Sequence, residues 1–317
     1  MTAETEISII SIARNEVANL PVLYERLAPV MDGLGAAWEW IVVDDHSDDG
    51  TFELVQRLAG ADRRIRGLRF SRHFGSHAAT VCGLHHARGA CAVLMASDLQ
   101  DPPELIPTLV DRWRDGAHIV SATRSSRPGE SFSTVLFSRF YHRLMRTILR
   151  QDDLPVSGTT YRLLDRRVID ALRRFGETPS GLHTLLSWMG YRAAYVPYDQ
   201  PPRLHGRSKW TLAQKVKLVV DSVTSFSYLP IRIITVTGFL TALLGFAYAV
   251  HVIHRALAGG TVEGWASLMV VVLVLAGVQM VMLGVLGEYL WRSLAESRRR
   301  PQYLVEADVG LPKEPPG

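Results

Sequence analysis

Acidic side chains stand where short apolar runs end. Asp44 and Asp45 follow Trp40-Ile41-Val42-Val43, and Asp98 and Asp101 come soon after Ala92-Val93-Leu94-Met95. Asn15 and Glu16 hold the same relation to the run Ile7 to Ile12. Carboxylates gathered on one rim suit a divalent cation that holds a diphosphate, with further carboxylates accepting hydrogen bonds from a base and a ribose. A single Asp in such a place also serves as a turn former or a helix cap. Acidic groups at three run ends point instead to a site. No G-x-G-x-x-G follows the first run and no G-x-x-x-x-G-K-[ST] occurs, so dinucleotide and P-loop readings lose their support. Later in the chain, Arg203-Leu204-His205-Gly206-Arg207-Ser208-Lys209 is a polar, basic, Gly-containing loop with the makings of a phosphate clamp.

The elements that must position these groups alternate in kind. The β-branched runs read as strands, and His118 to Ser121 reads as another. Between them lie segments with helical spacing, such as Leu20, Leu23, Leu27 and Val30, and Glu104 to Arg114. Such alternation predicts an α/β, mostly parallel, doubly wound sheet. Ligands bind such sheets beyond the carboxyl ends of the strands, where the acidic groups stand. Cys82 and Cys91 fit neither a disulfide framework nor a zinc knuckle and read as small core residues.

The composition has two parts. Mean hydropathy is +0.08 although the chain of 317 residues carries 35 Lys and Arg and 31 Asp and Glu. The apolar excess sits late: residues 233–250 and 264–287 hold no strong charge. A helix needs roughly 20 such residues to cross a bilayer, so both runs are read as transmembrane helices. Lys209, Lys215, Lys217 and Arg232 precede the first run and Arg292, Arg298, Arg299 and Arg300 follow the second. By the positive-inside rule both ends face the cytoplasm. Met1 to Glu6 shows no signal-peptide pattern, so the first 230 residues are expected to stay in the cytoplasm. The expected organisation is a catalytic domain at 1–210, an amphipathic juxtamembrane segment at 211–230, a two-helix hairpin at 231–290 and a cytoplasmic tail at 291–317. Arginines 124, 127, 139, 143, 146 and 150, interleaved with aromatic and aliphatic residues, suit an amphipathic helix at an anionic membrane surface or one packed on the sheet. The charge of +4 suits cationic rims facing a bilayer and phosphates better than a nucleic-acid surface.

Together these pieces resemble the family 2 glycosyltransferases of the polyprenyl-phosphate type, the group of dolichyl-phosphate mannose synthase and the undecaprenyl-phosphate glycosyltransferases. The matching motifs are Arg14-Asn15-Glu16, Val42 to Ser47, Arg72-His73-Phe74-Gly75-Ser76, Asp98 to Glu104, Arg124 with Arg127, Tyr161 to Arg166, Gly206 to Lys209, Gly287-Glu288-Tyr289 and Arg300 to Tyr303. The resemblance implies a GT-A fold, a UDP- or GDP-linked sugar donor, a Mg²⁺ or Mn²⁺ ion and inversion at the anomeric carbon. It also implies an integral protein of the bacterial inner membrane with both termini inside, membrane lipids as partners, no nucleic acid, and room for a homo-oligomer. Carried over by residue, Asn15, Glu16, Asp44, Asp45 and Ser47 face the nucleotide, and Asp98 and Gln100 meet the metal. Asp98, Asp101 and Arg124 form the catalytic set, and Arg127, Arg203, Ser208 and Lys209 hold acceptor and diphosphate oxygens.

Two positions depart from the family pattern. Ala96 stands where Asp-x-Asp-Leu-Gln-Asp has its first acid, and Thr159 stands where many members have an Asp near the acceptor. A phosphate acceptor is already largely ionised at neutral pH, so it tolerates the second loss; a sugar hydroxyl needs a base, for which Glu177 and Asp165 are candidates. Transfer to a saccharide hydroxyl and a non-catalytic membrane scaffold are the other two expectations.

Overall fold

The computed structural model describes residues 5–124, 160–174, 182–201, 229–258, 264–298 and 300–311. They fall into two units, one of residues 1–211 and 301–317 and one of residues 212–300.

The first unit is built on a sheet of eight strands. In chain order these are β1 (Ile7–Ala13), β2 (Trp38–Asp44), β3 (Ile65–Phe70), β4 (Cys91–Ala96), β5 (Ile119–Arg124), β6 (Arg162–Asp165), β7 (Ala193–Tyr198) and β8 (Val305–Val309). Their spatial order is β7-β5-β6-β4-β1-β2-β3-β8. Only β6, between β4 and β5, and β8, on the edge beside β3, run antiparallel to their neighbours. The sheet is thus mostly parallel, as the alternation predicts. β1 and β2 are buried almost end to end, as expected of strands covered on both faces.

Helices α1 (Asn19–Gly33), α2 (Thr51–Ala61) and α4 (Ile106–Arg114) cover one face, burying Leu20, Leu23, Leu27 and Met31 of α1 with Val55, Leu109 and Val110. Those α1 positions recur every three or four residues, the spacing of one helix face. The other face carries α3 (Ser76–His86), α5 (Arg166–Leu172) and α6 (Leu182–Trp188), through Ala79, Cys82, Leu84, Val168, Ile169 and Leu186. Cys82 and Cys91 are free and buried, the core role expected of them.

Below the sheet, at the amino ends of its parallel strands, the α3–β4 turn is tied down by polar groups. Glu39 accepts from Ser8 Oγ at 2.7 Å, from the Arg88 backbone N–H at 2.8 Å and from Arg66 at 2.5 Å. Arg173 donates to the carbonyls of Leu84, His85 and Ala87, and Arg166 to those of Ala87 and Gly89. Cations thus satisfy the orphan carbonyls at the end of α3. A Cβ on Gly89 would lie 2.6 Å from Ser8 N, 2.7 Å from Cys91 O and 2.9 Å from Glu6 O. These are backbone atoms of the two central strands and of Glu6 just before β1, and cannot step aside as a side chain can. Gly89→Ala is expected to cost about 1–3 kcal/mol, read as a lowered denaturant midpoint of the detergent-solubilised chain.

The second unit holds α7 (Leu229–Leu257) and α8 (Trp265–Ser297). They touch where a Cβ on Gly238 would lie 3.2 Å from Met282 Cε. Their apolar side chains face outward: Leu244 is 72% exposed, Phe246 70% and Met280 69%, which is not the burial of a soluble core. Val274–Trp291 in α8 is long and apolar enough to cross a membrane. The apolar stretch of α7, Ile234–Tyr248, is shorter, so among the described residues one helix meets the length requirement where the sequence reading expects two.

Candidate active site

The parallel register aligns the carboxyl ends of the strands. Ala13 pairs with Asp44, Ile12 with Ala96, and Asp44 with Arg69. Among the described residues, the non-glycine positions with left-handed backbone are Asn15 (φ 59°), His46 (φ 60°) and Leu99 (φ 62°). Each lies just past the end of β1, β2 or β4. Such backbone is costly for a side chain like that of Leu99 and persists where its surroundings enforce it, commonly at functional loops.

The loops after β1 and β2 are latched together. The Asn15 N–H donates to Ser47 Oγ at 2.9 Å, and Asn15 Oδ1 accepts from the Asp48 N–H at 3.1 Å. The Glu16 N–H donates to Thr51 Oγ1 at 3.0 Å, while its carboxylate accepts from Asn19 Nδ2 at 2.6 Å. Ser47 donates to Asp44 Oδ1 through both its hydroxyl and its N–H. Asp44 is fully buried, and its Oδ2 has no hydrogen-bond partner among the described residues. Burial pushes its carboxyl up; the Ser47 bonds and Arg69 pull it down. A buried acceptor with an open lone pair is costly unless a donor arrives, and the N–H edge of a base is such a donor.

Asp45 is held differently. Its carboxylate accepts from the Phe74 N–H at 2.8 Å, the Gly75 N–H at 3.0 Å and His73 Nδ1 at 2.7 Å. These bonds fix the entry to α3, where Gly75 adopts φ 98°. Asp45 and His73 therefore meet each other at the entry to α3.

At the end of β4, Asp98 is half-buried and its Oδ1 lies 3.3 Å from the Gln100 N–H. The loop around it is fixed by neighbours. Ser97 Oγ donates to the Ile12 carbonyl at 2.8 Å, and Asp101 accepts from the Ala96 N–H at 2.8 Å and from Tyr198 Oη at 3.2 Å. Tyr161 Oη donates to the Pro102 carbonyl at 2.7 Å, and the Tyr161 and Tyr198 rings meet edge to face at 5.9 Å. Burial pushes Asp101 up to about 6, with the Asp98 charge adding to it against the Ala96 hydrogen bond. Asp101 thus ties the loop that carries Asp98 to β4 and to Tyr198. Arg124 ends β5 opposite Tyr198, and its Nε is buried without a partner among the described residues. Tyr198 belongs to no motif read from the sequence; its one signal is its place at the end of the strand paired with β5.

Among the described residues no three His, Cys, Asp or Glu side chains gather to cage a metal. Asp98 and Gln100 offer hard oxygen donors, which fits Mg²⁺ or Mn²⁺ held jointly with phosphate oxygens. Arg127, Arg203, Ser208 and Lys209 lie outside the described residues, as do Thr159, Glu177, the arginines at 127–150 and residues 211–228 of the expected juxtamembrane segment.

The geometry has clear counterparts. The model of glycosyl transferase family 2 matches residues 8–173, which carry β1 to α5 and every loop just described. The chain belongs to glycosyl transferase family 2. A second model, the GtrB C-terminal hairpin, matches residues 229–292 of this glycosyltransferase. An uncharacterized glycosyltransferase of Synechocystis sp. is 38% identical, with 96% of each chain covered. The bactoprenol glucosyl transferase of Shigella phage SfV is 32% identical over 95% of this chain and 98% of its own, and a prophage homolog in Escherichia coli is 31% identical with the same coverage. Glucosyl-3-phosphoglycerate synthase from Mycobacterium tuberculosis, solved with phosphoglyceric acid, superposes with TM-score 0.52 at 17% identity, covering 70% of this chain and 80% of its own. Its complex with Mn²⁺ and UDP-glucose gives TM-score 0.50 at 18% identity, covering 70% and 79%. That likeness is one of fold, and it is the GT-A fold.

Proposed function

We propose that this glycosyltransferase moves a sugar, with inversion, from a nucleotide-sugar to a polyprenyl phosphate at the cytoplasmic face of the bacterial membrane. The carrying observation is the end-to-end likeness to bactoprenol glucosyl transferases, which includes the hairpin. In the reaction a phosphate oxygen of the acceptor bonds to the anomeric carbon as its bond to the diphosphate breaks, and the nucleoside diphosphate leaves. Asp44, in the loop held by Asn15 and Ser47, receives the base. Asp98 and Gln100 would hold a Mg²⁺ or Mn²⁺ ion, which when bound would supply neutralising charge to the leaving group. Arg124 offers its buried Nε to a phosphate oxygen. Arg127, Arg203, Ser208 and Lys209 are assigned to the remaining acceptor and diphosphate oxygens on the family pattern.

Of the two candidate bases for a saccharide hydroxyl, Glu177 lies outside the described residues and Asp165 is engaged elsewhere. Its carboxylate accepts from Trp113 Nε1 at 2.7 Å and from the Arg167 N–H at 2.8 Å. Because β6 is antiparallel, Asp165 pairs with Cys91 at the start of β4, the end of the sheet away from the Asp98 loop. It is not available as a base there. An ionised phosphate needs none.

Connectivity supports a membrane hairpin. β8 follows α8 and belongs to the sheet that the chain left before α7, so the chain returns to the side from which it departed. That favours two crossings, the short apolar stretch of the 29-residue α7 being accommodated by local thinning of the bilayer and by drawing Arg232 toward the headgroups. The test is a transfer assay with purified full chain, undecaprenyl phosphate, Mg²⁺ or Mn²⁺ and a panel of labelled UDP- and GDP-sugars. Lipid-soluble label with at least one donor is expected; none with any donor overturns the proposal.

A further inference from the structure

Arg69, on β3, is surrounded by the donor-site loop and by the segment that follows the hairpin. Its Nη2 donates to the Ser47 carbonyl at 3.1 Å, and its Nη1 lies 3.9 Å from the unpartnered Oδ2 of Asp44 and 3.8 Å from Glu53. On the other side its Nε lies 3.6 Å from Glu306 of β8. The guanidinium also stands over the Phe52 ring, 5.9 Å from its centroid. Ser47 is the residue that cradles Asp44 Oδ1, so Arg69 braces the loop through its backbone and pairs at longer range with the other oxygen of the same carboxylate, which has no hydrogen bond among the described residues.

Glu306 is fixed in turn. β8 pairs with β3, and the Ser71 N–H donates to the Leu304 carbonyl at 3.0 Å. Tyr303 stacks on Phe70 at 5.3 Å and meets His85 at 3.0 Å. Glu306 also lies 3.9 Å from His46, the left-handed residue of the same donor loop. β8 begins at Val305, eight positions after α8 ends at Ser297 and beyond both family matches.

We propose that Arg69 is the positioning residue for the base-binding end of the donor site, and that β8, through Glu306, holds it in place. The segment after the hairpin is then a working part of nucleotide binding and more than a tail. The inference rests on the donor reading given above. It separates the base end of the site, which Arg69 serves, from the diphosphate end at Asp98, which it does not touch.

The test is calorimetric titration of the full chain in detergent with Mn²⁺, using UDP, GDP and inorganic pyrophosphate as probes. Arg69→Met is expected to weaken the nucleoside diphosphate that wild type binds by roughly tenfold or more, and Arg69→Lys by less. Glu306→Ala, an exposed substitution on an edge strand, is expected to weaken it by roughly two- to fivefold. Pyrophosphate affinity should stay within about twofold of wild type in all three, an outcome that a general loosening of the domain would not give. Glu6→Gln, which removes the exposed pair with Arg114 at the far end of the sheet, should change neither affinity. Unchanged nucleotide affinity in both Arg69→Met and Glu306→Ala, or an equal loss of pyrophosphate, overturns the inference. Wild type that binds neither UDP nor GDP overturns the donor reading itself.

Discussion

Asp98→Ala is expected to lower turnover by roughly 10²–10³-fold while the protein stays folded, because on the proposed reading Asp98 holds the cation that would neutralise charge on the departing diphosphate. The two halves of that expectation have separate causes. Asp98 is the half-buried carboxylate at the end of β4, whereas the loop around it is held by Ser97 on Ile12 and by Asp101 on Ala96 and Tyr198. Removing Asp98 leaves those bonds in place. Asp101→Ala is the contrast: it strands the Ala96 N–H and the Tyr198 hydroxyl, so stability falls along with activity. Transfer assays paired with thermal melts of both variants decide the matter. Near-normal turnover of Asp98→Ala would remove that residue from the mechanism.

The largest expected loss of stability lies at the opposite end of the sheet. Glu39 and Arg66 are only 4% exposed and face each other at 2.5 Å, with Ser8 and the Arg88 N–H completing the carboxylate's contacts. Glu39→Ala leaves a buried guanidinium without its counter-ion, at an expected cost of about 3–5 kcal/mol. That is a large share of a domain's typical ~5–15 kcal/mol. The double variant Glu39→Ala with Arg66→Met removes both charges and should recover much of the loss. Denaturant unfolding of the two single variants and the double variant gives the coupling. If the double variant is as unstable as the sum of the singles, the pair is not the cause.

Much of the sheet is legible in the chain because its central strands are continuous apolar runs with polar groups at their ends. The burial of β1 and β2 leaves few other places for such residues, and the acidic strand ends follow from the same register. The antiparallel strand β6 is not legible: four residues, Arg162–Asp165, gain their direction only from β4 and β5, far away in sequence. For the same reason Asp165 reads as a candidate base until its position at the wrong end of the sheet is known. β8 is short, on an edge and largely exposed, so local pattern gives little hint of it. Asp44 and Asp45 look alike in sequence. Their fates differ because successive residues take different surroundings: Asp44 keeps an open oxygen beside Arg69, and Asp45 is filled by the start of α3.

The acceptor is tested most directly by comparing undecaprenyl phosphate with undecaprenol under the same labelled donor, with the products identified by mass. The phosphate is predicted to be converted to a lipid monophosphate bearing one sugar, and the alcohol to remain untouched, since a phosphate is already ionised whereas an alcohol needs a base and Asp165 is held at the far end of the sheet. Equal glycosylation of the alcohol, or sugar found only on an added saccharide, would contradict the account.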